Sequence, residues 1–110
     1  MTTHATASTM GLDTAIDELY ASGWSAIDST ECETHADGRL YPGLIRIHRE
    51  FARLGFDLAI RSIHLFDCYR AEWVDRLGHP VGAVVGATEV EAGVYALAQL
   101  RMRLRIGVKP

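Results

Sequence analysis

Four side chains in this 110-residue sequence have the types and spacing to hold a metal ion. Cys32 and His35 form a Cys-x2-His pair, and His64 and Cys68 form a His-x3-Cys pair. Two thiolates and two imidazoles would complete a tetrahedral zinc site. The second pair straddles an expected strand reversal, however, and no further Cys or His flanks either pair. The plainer expectation is an exposed loop histidine at 35, a partly exposed His64 and two buried, free thiols. On that reading no cofactor is expected, with zinc as the alternative.

A nucleophile with a neighbouring base can be assembled from His64, Asp67, Cys68, Tyr69 and Glu72. A single hairpin does not readily build a deep pocket around such a group. The segment Gly82-Ala83-Val84-Val85-Gly86-Ala87-Thr88 has two glycines but lacks the Gly-Lys-Thr ending of a phosphate-binding loop. The helix after it already brings carboxylates to its own start, at Glu89 and Glu91. Strand-to-helix packing is the better account of these glycines. The balance favours a non-catalytic domain; the alternative is a small metal-dependent, hydrolytic or redox protein using the Cys32, His35, His64 and Cys68 region.

The elements that would position these groups follow from apolar spacing. Residues 1–11 are small, polar and aperiodic and read as a flexible arm. Leu12, Ile16, Leu19 and Tyr20 mark a helix face, stopped at Gly23. Trp24, Ala26 and Ile27 suggest a brief extended piece. Ser29 to Gly38 reads as a polar loop with a turn at Asp37-Gly38. Pro42 suits the first turn of a second helix, whose face is Leu44, Ile47, Phe51 and Leu54, widened by Ile45 and Ala52. Arg46, Arg49, Glu50 and Arg53 lie elsewhere on that wheel. Gly55 ends the segment.

Beyond Gly55 the period becomes two: Phe56, Leu58 and Ile60, then a change of parity to Ile63 and Leu65 that predicts a bulge near Ser62 or two covered faces. Tyr69, Ala71 and Trp73 form a second strand, Leu77 to Pro80 a turn, and Val81 to Val85 a third strand. Thr88 and Glu91 match a capping box opening the last helix. Its stripe is Val90, Val94, Leu97, Leu100 and Leu104, with Gly93 placed for a close approach to the sheet. The expectation is therefore an α+β fold in one domain over residues 12–110: helix, helix, three-stranded antiparallel meander, helix.

From Leu44 onward, the order helix, three strands, helix resembles double-stranded-RNA-binding domains, over about sixty residues. That resemblance implies an RNA-gripping lysine cluster at the start of the last helix and a Gly-Pro-x-His type loop in the first hairpin. This sequence has Thr88-Glu89-Val90-Glu91 at the first place and Phe66-Asp67-Cys68 at the second, while Gly78-His79-Pro80 falls in the second hairpin. Carboxylates at the helix start repel phosphate, so nucleic acid is not the expected partner.

Composition agrees with a globular chain: 48% hydrophobic, 23% charged, net charge −3. No apolar run is long enough to cross a membrane and no secretory signal opens the chain, so a cytoplasmic location is expected. Charge is segregated, at −7 before Arg39 and +4 from Arg39 onward, with Arg101, Arg103, Arg105 and Lys109 near the end. Such segments dock on one another, lie solvated, or hold an acidic partner. Leu65, Phe66, Tyr69 and Trp73 offer more large apolar side chains than one covered sheet face can hide. They are the candidate interaction surface, for a second copy or another protein, unless the N-terminal helix covers that face.

Overall fold

In the computed structural model the backbone is described for residues 3–108 and the side chains for residues 11–104. The arm expected at residues 1–11 therefore lies, Gly11 apart, outside the described side chains, as do Arg105 and Lys109. The elements are α1 (Thr3–Ala21), β1 (Cys32–Thr34), β2 (Leu40–Pro42), α2 (Leu44–Arg53), β3 (Asp57–Ile63), β4 (Cys68–Val74), β5 (Pro80–Gly86) and α3 (Glu89–Val108), with a 3-10 turn at His64–Phe66. The class is α+β.

A three-stranded antiparallel sheet runs in the order β3-β4-β5, and β1 and β2 form a separate two-stranded hairpin. Tyr69, Ala71 and Trp73 point from β4 to the covered face, where Ala71 and Trp73 are buried and Tyr69 is half-buried. Helices α2 and α3 pack on this face, and α1 packs on α3. The N-terminal helix is thus an outer layer on the helical side and not a lid over the opposite face of the sheet. Ile16 and Leu19 of α1, Ile47 and Phe51 of α2, and Val94, Leu97 and Leu100 of α3 fill the core with Trp73.

Lying between the sheet and α1, α3 is buried almost all round, which is why Ala92, Ala96 and Ala98 accompany its larger apolar residues. A Cβ at Gly93 would sit 3.1 Å from Ile47 Cδ1 and 3.5 Å from Ile60 Cδ1, so the glycine admits α2 as much as the sheet. Thr88 Oγ1 accepts the Glu91 amide at 3.1 Å, as the cap requires. The Glu91 carboxylate reaches back to the amide of Ala87, one residue earlier than a standard capping box. Thr88→Ala removes the first bond and is expected to destabilise the fold by about 1 kcal/mol in chemical denaturation.

Four sequence expectations are corrected. The loop at 29–38 contains β1, which pairs with β2 in the register Cys32–Pro42, Glu33–Tyr41 and Thr34–Leu40. Three-residue strands are too short to show alternation, and this hairpin is held by tertiary contacts. Pro42 accordingly ends β2, and Gly43 is the N-cap of α2. On α2, Arg46 and Glu50 are buried whereas Ile45 is 69% exposed, because the helix turns its charged pair towards the 24–32 segment. Finally, β3 pairs with β4 without interruption from Asp57 to Ile63, and the irregularity lies between β4 and β5 at Trp73/Val74. The change of parity near Ser62 marks the end of the strand: Ile63 faces outward and Leu65 belongs to the turn.

Candidate functional site

The β3-β4 turn carries the largest unsatisfied apolar surface of the predicted set. Leu65 is 91% and Phe66 74% exposed in the 3-10 turn, which closes on Asp67 with φ 51°. An aspartate tolerates that left-handed conformation, and its amide donates back to the His64 carbonyl at 3.3 Å. Ile63 and Cys68, paired across the end of the hairpin, continue the patch onto the uncovered face. Further along that face Glu72 sits between two arginines, 2.7 Å from Arg70 Nε and 3.5 Å from Arg61 Nη2. These ion pairs hold the Glu72 carboxyl below its usual range, the hydrogen bond from Arg70 being the main cause.

Of the predicted interaction residues, Leu65 and Phe66 are thus at the surface and Tyr69 and Trp73 are not. Trp73 is 1% exposed and meets Phe51 edge-on, with ring centroids 5.6 Å apart. A Cβ at Gly82 would come within 2.3 Å of its Cζ2, so the opposing strand leaves the indole its space. Alternation from Tyr69 to Trp73 was legible, but which face the helices cover was not.

The metal set Cys32, His35, His64 and Cys68 does not converge on a common centre among the described residues. His64 and Cys68 stand at one end of the three-stranded sheet, and Cys32 and His35 belong to the β1-β2 hairpin. Cys32 lies 3.5 Å from Arg46 Nη1 and is half-buried; that burial pushes its thiol up, against the pull of the guanidinium. A thiol held above its ordinary range is a less ready nucleophile.

His35 has a different partner, Asp13, which the sequence reading missed because it comes from a distant helix. Its Nε2 meets Asp13 Oδ1 of α1, and ligand atoms of Asp13, His35 and Asp37 lie within 4.8 Å of one another. The turn that presents them is closed by His35 N–H to Arg39 O at 2.7 Å and Gly38 N–H to His35 O at 2.8 Å, with Gly38 at φ 92°. Arg39 joins the cluster, donating to Asp17 at 2.6 Å and Asp37 at 2.9 Å and approaching Asp13 at 3.5 Å. This is where the acidic N-terminal part meets the first arginine of the chain.

A second junction holds the 24–32 segment. Arg46 Nε donates to Glu50 at 2.7 Å, and its Nη1 donates to the carbonyls of Asp28 and Thr30, both at 2.8 Å. Glu50 also accepts the Trp24 indole N–H at 3.1 Å. A groove of about 480 Å³ beside it is lined by Glu31, Cys32, Glu33, Gly43, Leu44, Ile45 and Val90. Among the described residues, no helix is long and apolar enough to cross a membrane. Comparison with protein-family models, with curated proteins and with solved structures found no match.

Proposed function

We propose that this chain acts through protein contacts, by self-association through the β3-β4 turn and the adjoining open face of its sheet. The observation that carries this reading is the adjacent exposure of Leu65 and Phe66 at the tip of an ordered hairpin. Neither side chain contributes to the core, and water contact with two large apolar groups costs free energy that a partner would recover. Ile63 extends the apolar tip, and the Arg61, Glu72 and Arg70 row gives it a polar rim, the usual anatomy of a recognition patch. A two-fold arrangement would use each contact twice.

The element order from α2 to α3 resembles that of a double-stranded-RNA-binding domain, but Glu89 and Glu91 occupy the first turn of α3. A protein partner suits this charge better than a phosphate backbone does. The Leu65→Asp/Phe66→Asp double variant tests the reading by light scattering after gel filtration at micromolar concentration. The expected result is a dimer mass for the unmodified chain and a monomer mass for the variant, with equal circular dichroism. Identical masses for the two proteins would refute the reading.

A further inference from the structure

The junction between α1 and the β1-β2 hairpin has a capacity beyond holding these elements together. We propose that Asp13, His35 and Asp37 form a binding site for a divalent transition-metal ion of the zinc type. One imidazole nitrogen and two carboxylates are a donor set that zinc accepts, and three protein ligands leave a coordination position for water or a further group. Zinc-bound donors stand about 3.5 Å apart at the usual metal–ligand lengths. Ligand atoms of the three side chains already lie within 4.8 Å of one another, so side-chain rotations that open the His35–Asp13 contact and draw in Asp37 would set them around one centre.

Preorganisation supports the assignment. His35 and Asp37 sit on one tight turn fixed by the backbone bonds of His35 to Arg39 and Gly38. The imidazole is only 9% exposed and its Nε2 is directed at Asp13, leaving little rotamer freedom to lose on binding. The ring of Tyr41 meets it edge-on at 6.3 Å, bracing the other side. Asp13 comes from α1, so an ion here would bridge the N-terminal helix to the hairpin.

Charge favours an added cation. Asp13, Asp17 and Asp37 bring three negative charges to one guanidinium, Arg39. The three carboxylates outnumber the single guanidinium at this junction, which favours an added cation. Arg39 competes for these carboxylates but does not depend on Asp13. Its shortest ion pair is with Asp17, and its guanidinium carbon lies 6.0 Å over the Tyr20 ring. An ion could draw on Asp13 and share Asp37 while Arg39 keeps Asp17.

The test is calorimetric titration of the full chain with zinc chloride, paired with the visible spectrum of the cobalt(II) form. One saturable equivalent is expected, with a raised Tm that a chelator reverses. Asp13→Asn and His35→Gln should each weaken binding at least tenfold, Arg39→Gln should tighten it, and Cys32→Ser/Cys68→Ser should leave it unchanged. Should His35→Gln fail to fold, Asp13→Asn, which keeps the shape of the side chain, decides. Absence of saturable binding, or binding insensitive to both Asp13→Asn and His35→Gln, overturns the proposal.

Discussion

Glu50→Ala is expected to destabilise the domain by about 3 kcal/mol or more, measured by urea denaturation. Removing the carboxylate leaves Arg46 charged, mostly buried and without its counterion, and leaves the Trp24 indole N–H without an acceptor. The cost is that of stranded polar groups and not the net worth of the pair, which desolvation largely offsets. Hence Arg46→Met/Glu50→Leu, which removes both charges and keeps volume, should lose less than Glu50→Ala alone. Part of the Arg46 contribution would still disappear, because its Nη1 holds the Asp28 and Thr30 carbonyls. A loss below about 1 kcal/mol for Glu50→Ala would show that the 24–32 segment is not anchored in this way.

Trp73→Ala should be comparably costly, at about 3–5 kcal/mol, because it empties the space between Phe51 and Gly82 at the centre of the core. Trp73→Phe should cost less. It retains the aromatic contact and removes an indole N–H that is buried without a hydrogen-bond partner. Trp73→Lys should abolish cooperative unfolding, whereas changes at Leu65 and Phe66 should leave it intact. Equilibrium urea unfolding followed by circular dichroism separates these cases. A Trp73→Ala loss below about 1 kcal/mol would contradict the core position.

The contrast between Trp73 and Phe66 shows where the sequence was informative. Period-two spacing identified β4 and placed Tyr69, Ala71 and Trp73 on one face, and the capping residue Thr88 located the start of α3. Alternation alone does not say which face is covered, so Trp73 and Phe66 looked equivalent until the helices took their places. The charged pair on α2 was misread for a related reason. A helical wheel sorts residues by hydropathy, whereas Arg46 is buried because backbone carbonyls eighteen and sixteen residues away satisfy it. The same holds at His35, whose partner Asp13 lies 22 residues earlier. Local spacing paired that histidine with Cys32, and only the docking of the hairpin on α1 brought in Asp13. Strands β1 and β2, at three residues each, were too short for any periodicity to appear.

Self-association through the β3-β4 turn is tested most directly by sedimentation equilibrium of the unmodified chain across a concentration series. A monomer–dimer equilibrium with substantial dimer at micromolar concentration is the predicted result. A single monomer mass at every concentration, in a protein with Leu65 and Phe66 intact, would contradict it.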